Sequence, residues 1–215
     1  MCFSAEASFA ASAVLGAGGV WTLSLAPTPA ERPLAAIPVI FAVQQFFEGV
    51  VWVGVAHEQA TIVAVFSYVF SFFALFLWPI YTPLAVLRVE SHPRRRRILE
   101  ALVVVGICAA VAICGFMTHS PLETHVMRGH LCYHLDGLPY ELIGLYFVAV
   151  SAPCFSSHGW LRAFGAALMA ALAVSLGMYE IEFVSVWCFF AAVMSALLLL
   201  HMNHVGKALR TPAPA

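Results

Sequence analysis

The chain has 215 residues, 62% hydrophobic and 10% charged, with a formal net charge of −1 and a mean hydropathy of +0.92. A soluble globular domain carries about 25% charged residues, so the composition excludes an ordinary soluble domain, and the near-neutral charge excludes a nucleic-acid partner. Apolar residues run in long blocks rather than stripes, and a block of roughly 20 is what a membrane-spanning helix requires.

Seven such blocks are predicted, at 3–26, 34–56, 60–89, 98–118, 140–155, 161–178 and 183–202. The fold expected is all-α: one seven-helix transmembrane domain over residues 1–210, then a short disordered tail, 211–215. The third block is too long for one straight crossing at about 1.5 Å per residue. It holds Pro79 and Pro83 in LWPIYTPLAV, and each frees a carbonyl four residues earlier, so a kink is expected there.

Orientation follows from the basic residues. With SHPRRRR inside, Arg32, Arg88, Arg94, Arg95, Arg96, Arg97, Arg162, Lys207 and Arg210 all lie inside, and only Arg128 lies outside. That bias puts the N-terminus out and the C-terminus in. The first block does not read as a signal peptide, because the first basic residue, Arg32, follows it. Most acids then fall toward the outer face: Glu6, Glu48, Glu58, Glu123, Asp136, Glu141, Glu180 and Glu182. The basic inner rim has an ordinary role against anionic headgroups, whereas the acidic outer half has none by default.

In chain order, Glu6 in CFSAEASF stands near the outer interface, as a solvated acid or as part of a site. Ser4, Ser8, Ser12 and Gly16 form a separate stripe, read as a small-residue packing seam. Glu48, in FAVQQFFEGVVW, is the most informative residue, since an acid at membrane depth must face protein or water. Gln44, Glu48 and Trp52 share one face at four-residue spacing, with Gln45 beside them. The plain account is helix-to-helix hydrogen bonding; the functional one is a ligand, metal or general base.

HVMRGHLCYHLDG, residues 125–137, concentrates histidines, a cysteine and an aspartate in an apolar chain. As a strand it lines up His130, Cys132 and His134; as a helix it pairs His130 with His134. Imidazole and thiolate suit zinc or copper, and Glu6, Glu48 or Glu180 would complete the ligand set from below. The competing account is a loop of solvated histidines. Cys132 is alternatively paired with Cys2 as a disulfide in an oxidising compartment. MYEIEF brings Tyr179, Glu180 and Glu182 to the outer end of the sixth block, and Cys188 reads as a small core residue. His201 and His204 close the last block at a spacing unlike that of membrane zinc hydrolases. No nucleotide, flavin or c-type haem motif is visible, and b-type haem, which needs no motif, stays open.

The segments MCFSAEASF, LAAIPVIFAVQQFFEGVVW, SYVFSFFALFLWPIY, SSHGWLRAFG and FVSVWCFFAAVMS together carry a resemblance. The chain resembles a bacterial family of multi-pass membrane proteins that open with MCFSA and end with a SVWCFFAA helix. That family is a domain of unknown function, so the resemblance implies a setting in the inner membrane of a bacterium and no catalytic residues.

The expectation is therefore a membrane protein with a polar, metal-binding pocket opening to the outer face. Its proposed ligands are Glu6, Glu48, His130, His134 and Glu180. As an enzyme it would direct metal-activated water at a lipid-soluble substrate, with Glu48 as the base. The alternative is a non-catalytic carrier, sensor or accessory subunit; no internal repeat supports a carrier.

Overall fold

Ser4 starts the first helix: its hydroxyl accepts the Ala7 N–H at 3.2 Å, satisfying one of the donors a helix start leaves open. Helix α1 (Ala5–Leu25) leads through a short turn to α2 (Arg32–Ala56), which has Pro33 in its first turn. The computed structural model describes residues 4–26 and 28–178, together with 187, 190–192, 194, 195, 197 and 198. After α2 come α3 (Ala60–Ser71), a π-helical segment (Phe72–Leu77), α4 (Trp78–Val89) and α5 (Pro93–Met117). A hairpin of β1 (Glu123–Met127) and β2 (His130–His134) precedes α6 (Tyr140–Val150), a 3-10 turn (Ala152–Phe155) and α7 (Gly159–Met178).

Among the described residues, five helical stretches are long and apolar enough to cross a membrane: Ala5–Leu25, Arg32–Ala56, Ala60–Val89, Pro93–Met117 and Gly159–Gly177. They match the first, second, third, fourth and sixth expected blocks. The fifth differs. Its helix ends at Val150, because Pro153 has no N–H to continue the ladder and its ring crowds the carbonyl of Ala149. Eleven residues span about 16 Å, half of a bilayer core. The seventh block lies mostly outside the described residues.

The α1–α2 pair is antiparallel, and the small-residue stripe forms its seam. The Ser12 hydroxyl donates to the Ala42 carbonyl at 2.7 Å, and Gly16 faces the Ala42 side chain. At the far end a Cβ on Gly19 would lie 2.6 Å from the Val39 nitrogen, so only glycine permits that approach.

The third block runs unbroken from Ala60 to Val89, and its irregularity precedes the prolines rather than following them. The Trp78 N–H reaches back five residues to the Phe73 carbonyl. That wider turn lets the chain absorb Pro79 without stopping. The carbonyl of Pro79, which Pro83 leaves without a helical donor, lies against Gly106 of α5; a Cβ there would collide with it.

The α2–α3 turn and the hairpin share one end of the molecule, where Glu58 and His125 border a common cavity. At the other end Tyr81 donates to the Pro33 carbonyl at 2.8 Å, and Glu90 meets Ser156 and Ser157. Arg32, Arg88, Arg94, Arg95, Arg96, Arg97 and Arg162 all belong to this second end, and Arg128 to the first.

Candidate functional site

Glu48 is fully buried, with no solvent-exposed surface at all. It lies about two turns before the C-terminal end of α2, and its burial means that its carboxyl meets protein rather than bulk water. The Gln45 Nε2 donates to its Oε2 at 2.9 Å, and the Ser8 hydroxyl of α1 donates to the same oxygen at 3.5 Å. One turn toward the α2 N-terminus, Gln44 accepts the indole N–H of Trp78 at 2.7 Å, and Phe41 stacks on that indole at 4.0 Å. Gln44 and Gln45 are also fully buried. The Gln44 Nε2, the Gln45 Oε1 and the Trp52 Nε1 have no hydrogen-bond partner among the described residues. Leaving such atoms dry costs about 1–3 kcal/mol each.

The α2 periodicity that put Gln44, Glu48 and Trp52 on one face is thus retained as a buried polar spine. Two contributors were not expected from sequence. Ser8 was read only as part of a packing seam, yet it is the α1 side chain against Glu48. Trp78 lies 34 residues from Gln44, and nothing in its local pattern signals the pairing. The π turn just before it rotates every later side chain by about one residue's angle, which is what turns this indole toward α2.

The five expected ligands are placed differently from one another. Glu6 is exposed in the first turn of α1. His130 and His134 lie on one face of β2, the strand option of the two expected. His130 is buried, whereas His134 is exposed with its Nε2 4.0 Å from Asp136. Glu180 lies outside the described residues, as do Cys2, Tyr179, Glu182, Cys188, His201, His204 and Lys207. Among the described residues, no three of His, Cys, Asp and Glu form a group able to hold a metal ion.

The hairpin is divided: His125, Arg128, Gly129 and His134 are exposed, while most of β2 is buried. Arg128 and Gly129 both take positive φ, 50° and 79°, closing the tight two-residue turn that pairs Met127 with His130. His130, Leu131, Cys132 and Tyr133 are buried. Tyr133 stacks on the fully buried Phe70 with ring centroids 4.4 Å apart. The first four residues of β2 are therefore buried, with Tyr133 packed against α3, and His134 at its end is exposed.

A second polar centre closes the opposite end, and sequence reading treated its acid merely as an inner-side charge. Glu90 is buried between α4 and α5. Its carboxylate accepts the Ser157 N–H and hydroxyl at 2.6 Å each, the His92 N–H at 2.8 Å and the Ser156 hydroxyl at 3.2 Å. Burial pushes its pKa up, but the hydrogen bonds to the charged form outweigh that and hold it down at about 2. Arg95 and Arg162 each donate to two carbonyls of the 155–157 turn, and His158 Nε2 donates to the Val89 carbonyl at 3.0 Å. This cluster ties the α4–α5 loop to the α6–α7 loop, and every carboxylate oxygen in it is engaged.

Among the described residues, the chain is a helical protein with five helices long and apolar enough to cross a membrane, and with a buried acid-and-amide centre. The chain belongs to a family of unknown function (DUF6629), whose model matches residues 1–213. No curated protein and no solved structure matches it.

Proposed function

We propose that the chain is a multi-pass protein of a bacterial inner membrane, with seven spans and its N-terminus outside. Its working part is a ligand-binding polar centre on Glu48 that opens toward the hairpin end, the outer face. The observation that carries this reading is a fully buried glutamate on the same helix as buried amide and indole atoms that lack partners among the described residues. An acid at membrane depth costs at least a few kcal/mol unless it faces protein or water, and such acids commonly mark functional sites. The arginines gathered at the opposite end support the orientation.

A transition metal, zinc or copper, is the first ligand to test, with Glu48 and His130 as its innermost ligands and Glu6, His134 and Glu180 as the others. The untagged protein, purified in mild detergent, is assayed for bound metal by mass spectrometry, with an absorption spectrum that also reveals haem. Near-stoichiometric metal that falls in both Glu48→Gln and His130→Ala supports the site. Unchanged occupancy in both removes it.

The second reading, a non-catalytic carrier, sensor or accessory subunit, is favoured by the lack of a metal-holding group among the described residues. Glu48 then serves proton or solute passage. Flux in proteoliposomes that Glu48→Gln abolishes supports a carrier, and co-purification of a stable partner supports a subunit.

A further inference from the structure

A half-open cavity of about 290 Å³ lies away from Glu48, between α3, the π segment and α5. Its walls include Tyr68, Ser71, Phe72, Phe76, Cys114 and Met117. From Tyr68 to Phe76 it descends about 12 Å along the helix. Its upper end is roofed by the start of the hairpin, where the Leu122 N–H donates to the Tyr68 hydroxyl at 3.1 Å. The surface around it is apolar and outward-facing: Phe72, Ile107 and Val111 are all exposed, as residues against hydrocarbon are.

Ser71 is the unusual wall. It is 1% exposed, and its hydroxyl has no partner among the described residues. A serine or threonine in a helix normally returns its proton to a carbonyl three or four residues back. Thr22, Ser24, Ser151, Ser175 and Ser195 do so here, at 2.6–2.9 Å. Ser71 does not, nor does Ser67 one turn above it on the same face. Ser71 is also the last residue before the π segment, and π turns inside α-helices frequently mark functional sites.

The chemistry of the walls selects the ligand. The described lining carries no charged side chain, so a phosphate or carboxylate head would be buried without a counter-charge. Tyr68 accepts from Leu122 and keeps its own proton to donate, and Ser71 has a second to offer, so the ligand needs acceptors. Phe72 and Phe76 stack with centroids 5.2 Å apart and offer ring faces to a flat partner. The volume is at the small end of ligand pockets, which run roughly 300–1,000 Å³; it suits a ring, while a long tail would remain in the bilayer.

We propose that this groove binds the head of an uncharged, quinone-type lipid. A ring carbonyl accepts from the Ser71 and Tyr68 hydroxyls, the ring lies against Phe72 and Phe76, and the apolar tail leaves through the open side. The proposal is independent of the Glu48 centre.

The test uses the full chain in lipid nanodiscs, titrated with decylubiquinone. Saturable binding of one molecule per chain is expected. Ser71→Ala should weaken it roughly fivefold, the effect of one lost hydrogen bond, and Ser71→Leu should abolish it by filling the groove. Glu48→Gln should bind as the wild type does, which separates this site from the first. Non-saturable partitioning that is equal in wild type, Ser71→Ala and Ser71→Leu overturns the proposal. Displacement by dioleoylglycerol at equal concentration overturns the quinone class, because that lipid lacks the ring.

Discussion

The Tyr146 hydroxyl donates to the Ala74 carbonyl at 2.8 Å, joining residues 72 positions apart. Ala74 needs a donor from outside its helix. In an α register its partner would be the Trp78 N–H, which goes to Phe73 instead. In a π register it would be Pro79, which has no N–H. Tyr146→Phe leaves this buried carbonyl dry and should destabilise the fold by about 1–3 kcal/mol. Unfolding in a mixed-micelle denaturant series measures it. An unchanged midpoint would show that the π segment satisfies Ala74 by itself.

Trp78 and Gln44 form a long-range side-chain hydrogen bond between the buried spine and α4. Trp78→Phe removes the donor and leaves the Gln44 carbonyl oxygen unpaired as well as its amide, so a loss of about 2 kcal/mol is expected. Gln44→Met in the same background removes the stranded amide and should restore part of that loss. A double-mutant cycle on unfolding midpoints gives the coupling; strict additivity would mean that the pair contributes nothing jointly.

Glu90 makes stability depend on acid. Its folded pKa, about 2, lies below its ordinary value of 4.5. A depressed carboxylate contributes in full above the ordinary value and loses that contribution as pH falls toward the folded one. The window is therefore pH 4.5 down to 2, and the shift corresponds to roughly 3 kcal/mol at most. Glu90→Gln should be less stable at neutral pH and should lack this part of the acid dependence. Parallel acid titrations of wild type and variant would sink the assignment.

Glu58 has a positive φ of 54°, which glycine tolerates far better. It follows the end of α2, where the Gln59 N–H reaches the Gly54 carbonyl at 2.8 Å and the Glu58 N–H the Val55 carbonyl at 3.2 Å. That pattern closes helices most often with glycine at this position. Glu58→Gly should stabilise the protein by roughly 0.5–1 kcal/mol, read as a higher thermal midpoint. A lower midpoint would show that the Glu58 side chain itself holds the α2–α3 turn.

Hydropathy along the chain was enough to mark the helices: five of the seven expected blocks coincide with long apolar helices within a few residues. Burial in a bilayer depends on local composition summed over some twenty residues, and composition is a one-dimensional property. The same logic singled out Glu48, because an isolated acid in such a block has to face inward. Partnerships were another matter. That Ser8 rather than Glu6 meets Glu48, that a π turn aims Trp78 at Gln44, and that Glu90 grips Ser156 and Ser157 all depend on helix rotation and crossing. A rotation of one residue's angle exchanges the side chains on a contact face, and hydropathy is blind to it when both faces are apolar. The hairpin shows the same limit: its polar letters left a site or a solvated loop open, and the structure divides it, with His125 and His134 exposed while the Tyr133 ring packs on Phe70 and most of β2 is buried.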